Sequence, residues 1–198
     1  MTMKLSMILA GLLLAASTAA PAVAEETIRF PEKIQRSDFL AAFADTGPVF
    51  IGGQPTADAL RQLVSEGVTT IINLRTPREM DNRKVVPFDE AALLSELGVE
   101  YIHVPLDGMA NPYAPEAVDK VAAAISSAKG KVLLHCTIAW RASHMWAAYL
   151  VKHKGYSLED ALRHAEAINF NGYKAPDPQP VEGLLGISLK PVVPAETN

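Results

Sequence analysis

The chain has 198 residues, of which 49% are hydrophobic, with one cysteine and a formal net charge of −4. A single cysteine excludes an internal disulfide, so stability must come from a core, and the length suffices for one domain with a substantial interior. The mild acidity argues against a general nucleic-acid or anionic-membrane binder, which would need a basic face.

In chain order, the first element is an export signal. Lys4 supplies a positive start, Leu5 to Ala16 an apolar run, and Ala22-Val23-Ala24 a small-x-small cleavage pattern before Glu25 and Glu26. The run is too short to span a bilayer comfortably. This pattern predicts a signal peptide over 1–24, a periplasmic or secreted location, and no stable membrane insertion after cleavage.

From residue 49, short β-branched runs alternate with helical patterns. "VFI" (49–51) reads as a strand and "GGQP" as a turn. Leu60, Leu63 and Val64 then share a helical face that stops at Gly67. "VTTIINL" (68–74) is a strand. "FDEAALLSEL" (88–97) is a helix with acids in its first turn and Gly98 as terminator. "VEYIHVPL" (99–106) is a strand running into a Gly/Pro/Asn loop from Asp107 to Pro115. Val118, Val121, Ala122 and Ile125 mark the next helix, and "KVLLH" (131–135) a short buried strand. Ala142, Met145, Trp146, Tyr149 and Leu150 recur at helical spacing as a core stripe, ending at Gly155. Ser157 with Asp160 predicts a capping-box-like start to a last helix, whose buried face runs from Leu158 to Ile168. Strands alternating with helices predict an α/β domain over 25–174, with a mostly parallel central sheet flanked by helices on both faces. Five prolines predict an extended or disordered tail over 175–198.

Ligands in open α/β sheets bind beyond the carboxyl ends of the strands. "KVLLHCTIAWRAS" (131–143) puts Cys136 at such an end and Arg141 at the start of the following helix. Unpaired amides at a helix N-terminus favour an oxyanion or a thiolate, and the guanidinium fork grips two phosphate oxygens at once. His103, His144, His153 and His164 show no recurrent metal spacing with acids or the cysteine, so neither a metal nor a cofactor is expected.

"FIGGQPTADALRQLVSEGVTTIINLRTPRE", "GVEYIHVPLD" and "VLLHCTIAWRASHMWAAYLVKHKGYSLEDALRHAEAI" resemble the bacterial protein-tyrosine-phosphatase-like proteins, in particular their beta-lactamase-hydrolase-like phosphatase branch. The resemblance covers about residues 45–170. It implies the cysteine-phosphatase α/β fold, a phosphocysteine mechanism without a metal, and a phosphorylated small molecule or protein as substrate, phosphotyrosine being one candidate. It further implies Cys136 as nucleophile, Arg141 as phosphate-binding arginine and Asp107, in "VPLDGMANP", as general acid on a mobile loop. The amides of Thr137, Ile138, Ala139 and Trp140 would cradle the phosphate.

Two departures stand out. Four residues separate Cys136 from Arg141, where the usual signature has five; counting five lands on Ala142. Ala139 stands where a glycine is usual, and a non-glycine residue at positive φ costs about 1 kcal/mol or more. Four-residue spacing is also that of rhodanese sulfurtransferases, so a persulfide carrier on Cys136 and a degenerate anion-binding module are the alternatives. Trp140 is either a stacking wall or pocket filler. As auxiliaries, His135 would orient the loop, Thr137 and Ser143 would hydrogen-bond the thiolate or cap the helix, and Arg75 would steer an anion or sit solvated at its strand end.

Overall fold

The computed structural model describes residues 27–173 and 179–189. The expected signal peptide lies outside the described residues, as do 174–178 and 190–198 of the C-terminal stretch. Six strands form one sheet: β1 (Glu32–Lys33), β2 (Phe43–Asp45), β3 (Val49–Gly52), β4 (Val68–Asn73), β5 (Glu100–His103) and β6 (Lys131–His135), in the order β1-β2-β3-β6-β4-β5. The pairs β3/β6, β6/β4 and β4/β5 are parallel. Two short antiparallel strands, β2 and β1, extend the β3 edge.

The central strands are apolar because both faces are covered. Successive residues of β6 point opposite ways, so Leu133 joins one core cluster and Leu134 the other. On one face, α1 (Ala57–Ser65) and α3 (Glu90–Glu96) bring Leu60, Leu63, Leu93 and Leu94 onto Ile71 and Leu133. On the other, α4 (Pro115–Ser127), α5 (Trp140–Lys154) and α6 (Leu158–Ile168) bring Val118, Val121, Met145, Trp146 and Ile168 onto Ile72 and Leu134. Each fully buried Leu, Ile or Met here contributes about 1.5–3 kcal/mol. Side-chain oxygens of Thr56, Asp89 and Ser157 accept amide bonds that start α1, α3 and α6. Gly155 ends α5 with φ +71°, as its place after a basic last turn suggests.

Three features depart from the sequence reading. β1 and β2 precede residue 49, where two or three residues leave no period to detect. A four-residue helix, α2 (Pro77–Met80), follows β4 under a Thr76–Glu79 capping box. The expected extended tail is corrected between 180 and 185. There α7 (Pro180–Leu185) starts on a proline at N1, with its Glu182 side chain accepting from the Gln179 amide, and buries Val181 and Leu184 against the α4–α5 side. Among the described residues no helix is long and apolar enough to cross a membrane.

Candidate active site

The carboxyl ends of β3, β4 and β6 meet at residues 136–141. Four carbonyls at and beside this loop are bonded to their surroundings. His135 O accepts from Leu74 N at 2.9 Å, Thr137 O from Gln54 N at 2.9 Å, and Ile138 O from Asn169 Nδ2 at 2.5 Å. Ala139 O accepts from Ser143 N at 2.8 Å and from Ser143 Oγ at 2.6 Å. Gly53 and Ile138 pair as an isolated antiparallel bridge, and beside it the Thr137 and Trp140 amides donate to no loop or turn carbonyl among the described residues. This is the form of a nest of N–H groups that binds an anion.

Ala139 makes the turn into α5 with φ +65° and ψ −1°. The left-handed backbone expected where glycine is usual is therefore present on an alanine, whose side chain is completely buried. The chain at Gly53 crosses so close to this loop that a Cβ there would lie 1.7 Å from Leu40 O and 2.9 Å from Thr137 O. Only a glycine permits that approach.

Cys136 lies at the floor of the loop with 1% of its surface exposed. Arg141, on the first turn of α5, folds back over the carboxyl edge. Its Nη1 donates to Leu106 O (2.7 Å) and Leu74 O (3.2 Å), which ties the ends of three segments together. Its two terminal nitrogens also meet Glu79 side by side, Nη2 to Oε1 at 2.6 Å and Nη1 to Oε2 at 2.9 Å. Such a bidentate pair fixes the plane of the guanidinium. Thr137 Oγ1 donates to Glu79 Oε1 at 2.8 Å and accepts from Arg141 Nη2 at 3.0 Å. Burial works against the Glu79 charge, yet bonds from Arg141 and the Thr76 amide outweigh it and bring its pKa down to about 2. Burial likewise disfavours the Arg141 charge, and the Glu79 bonds more than compensate, so its pKa is raised.

The remaining expected residues fall into different roles. Ser143 does not reach the cysteine; its hydroxyl bonds back to Ala139 O. Arg75 is not a solvated charge: it is 2% exposed, donating to Gln54 Oε1 at 2.6 Å and Glu79 O at 3.3 Å. Rather than bonding to the loop through its ring, His135 donates through Nε2 to Glu90 Oε1 at 3.0 Å, and both side chains are buried. Glu90 also accepts from Gln54 (2.8 Å) and Asn73 (3.0 Å). Burial disfavours its charge, but His135 and these donors hold its pKa below the ordinary carboxylate value. Trp140 is 8% exposed and packs edge-on against His144 and Tyr173, which makes it filler more than an open wall.

Asp107 follows Leu106, whose carbonyl Arg141 holds, so it does stand at the rim of the loop. Its carboxylate, however, closes its own turn, accepting from the amides of Met109 and Asn111 at 2.9 Å each and from Asn111 Nδ2 at 3.0 Å. The Asn111 and Met109 amides lower its pKa, so it is an ionised turn cap in this conformation.

Glu79, Glu90 and Gln54 were not singled out by the sequence. In "TPRE", Glu79 stands at capping-box spacing from Thr76. Among the described residues, no group of three or more His, Cys, Asp or Glu side chains is arranged to hold a metal ion.

A family model described as a DSP-PTPase phosphatase fused to NAD+ kinase matches residues 33–182. No protein of curated function matches the sequence significantly. Among solved structures, a DUF442 protein from Shewanella putrefaciens CN-32 is 24% identical, with a TM-score of 0.53 over 80% of this chain and 90% of that one. Tk-PTP in its active form is 21% identical, with a TM-score of 0.57 over 71% of this chain and 92% of its own. TpbA of P. aeruginosa, solved with pTyr, is 18% identical, with a TM-score of 0.52 over 69% of this chain and 77% of its own. At these identities the likeness establishes the fold, a phosphatase-type α/β sheet.

Proposed function

Because the chain belongs to the DSP-PTPase phosphatase family defined by that model, we propose that it hydrolyses phosphomonoesters through a phosphocysteine on Cys136. The observation that carries this reading is the 137–140 loop, whose Thr137, Ile138 and Ala139 carbonyls are bonded to their surroundings and which is bracketed by a cysteine and a braced arginine. Phosphoryl transfer needs mainly in-line positioning and charge stabilisation. Cys136 Sγ attacks phosphorus from the floor of the loop, the S–P bond forms and the ester P–O bond breaks. The 137–140 amides and Arg141 hold the three remaining oxygens throughout. Water then attacks the phosphocysteine, the S–P bond breaks and inorganic phosphate leaves.

Glu79 keeps the Arg141 fork in register, and Thr137 turns its hydroxyl away from Glu79 when a phosphate oxygen takes its place on Nη2. The leader-like N-terminus supports action in an exported setting, the periplasm or outside the cell. The test is hydrolysis of 4-nitrophenyl phosphate by the purified protein, with Cys136→Ser and Arg141→Ala as controls. Metal-independent turnover that both variants lose is expected. Turnover retained by Cys136→Ser would remove the phosphocysteine route.

A further inference from the structure

An alkoxide is a poor leaving group, so hydrolysis of an alkyl phosphomonoester needs a group at the rim of the loop with a proton to give. Asp107, the group at that position, has an ionised carboxylate already committed to three donors of its own turn. Tyr113, six residues on, has the opposite character. Its ring lies against Gly108, so close that a Cβ there would be 3.0 Å from Tyr113 Cε2. On its other side its main chain packs on Gly183 of α7, where a Cβ would meet Tyr113 O at 2.5 Å. The ring is half-buried against the larger core cluster. Its hydroxyl has no hydrogen-bond partner among the described residues.

The geometry is continuous. Arg141 holds Leu106 O, Asp107 and Gly108 follow, and the Tyr113 ring rests on Gly108. Burial pushes the phenol up to about 12; Arg141 opposes this, and Cys136, Asp107 and Glu79 add to it. Among the other charged groups on the elements packed here, three are paired elsewhere. Glu182 on α7 accepts from the Gln179 and Leu189 amides, and Lys152 on α5 pairs with Asp119 on α4. Tyr113 thus stays neutral, with its proton in place, through the physiological range.

We propose that Tyr113 Oη donates the proton to the leaving-group oxygen, and that alkyl phosphomonoesters are the substrate class this donor serves. The inference rests on the phosphatase reading of the same site. As the S–P bond forms and the ester P–O bond breaks, the departing oxygen takes the Oη proton and leaves a tyrosinate, the charge that Arg141 favours. In the second step the tyrosinate takes a proton from the attacking water while the S–P bond breaks, which restores the phenol. An alkoxide is more basic than a tyrosinate, so the transfer runs downhill for alkyl esters. It is of little use to an activated aryl oxide.

The test compares kcat/KM of wild type and Tyr113→Phe on O-phosphoserine and on 4-nitrophenyl phosphate. Phenylalanine keeps the ring on Gly108, and a matched melting temperature checks the fold. A loss of about 100-fold or more on the alkyl ester, at least tenfold larger than on the aryl ester, is expected for removal of a general acid. As a second readout, wild-type turnover of O-phosphoserine should hold between about pH 6 and about pH 9, where a carboxylic acid donor would already be deprotonated. Equal losses on both esters, no loss on either, a falling limb over that range, or selective loss in Asp107→Asn instead of Tyr113→Phe would overturn the proposal. Absence of Cys136-dependent turnover of both esters by wild type would overturn the phosphatase reading, and the donor role with it.

Discussion

Replacing Glu79 by Gln keeps the shape of the group that braces Arg141 and removes its charge. The carboxyl is lowered from an ordinary 4.5 to about 2. At about 1.4 kcal/mol per tenfold change this favours the folded state by about 3 kcal/mol. The side chain is 31% exposed, so solvent screening reduces the figure to about 2 kcal/mol. A depressed folded pKa gives stability that is fully present above the unfolded value near 4.5 and is lost as pH falls toward about 2. Urea unfolding of both proteins measures the difference directly. Glu79→Gln should be less stable by about 2 kcal/mol near pH 7, and by less than half of that at about pH 3. A gap of the same size at both pH values, or no gap near pH 7, would refute the assignment of Glu79 as a charged brace.

Three other outcomes follow from the same structure. Ala41 and Ala139 both have positive φ, +69° and +65°, but Ala41 is exposed and Ala139 buried. Ala41→Gly should therefore raise stability by about 0.5–1 kcal/mol in thermal unfolding. Ala139→Gly should be close to neutral, because it also empties about one methyl's worth of core; a larger gain at 139 than at 41 would contradict the strain argument. Glu90→Ala leaves His135, Gln54 and Asn73 facing a buried void and should cost about 3–5 kcal/mol in denaturant titration. A loss below about 1 kcal/mol would show that the buried pair is dispensable.

Most of the fold between residues 49 and 168 was legible, because each element there except α2 has its own signature. The β-branched runs, the helical stripes and the stops at Gly67, Gly98 and Gly155 are local signals. So was the bracket of Cys136 and Arg141 around a strand-to-helix loop. What was not legible depends on distant partners. Glu79 reads as a capping residue of Thr76, and its pairing with Arg141 spans 62 positions. Glu90 reads as a favourable first-turn acid, yet it is 2% exposed and held by residues 17 to 45 positions away. Asp107 matches the general-acid position in sequence, but its short-range donors at 109 and 111 claim the carboxylate first. The segment around α7 looks like a tail by proline content, although Pro180 stands in the first helical turn, where the amide has no intrahelical acceptor.

The central claim is a covalent phosphocysteine held by the 136–141 loop. Acid-quenching the purified protein during turnover of 4-nitrophenyl phosphate, followed by mass spectrometry of the peptide that carries Cys136, tests it most directly. The account predicts a phosphoryl adduct on Cys136 in wild type, with neither adduct nor turnover in Cys136→Ser. Turnover that persists in Cys136→Ser, or a phosphoryl group found on another residue, would contradict it.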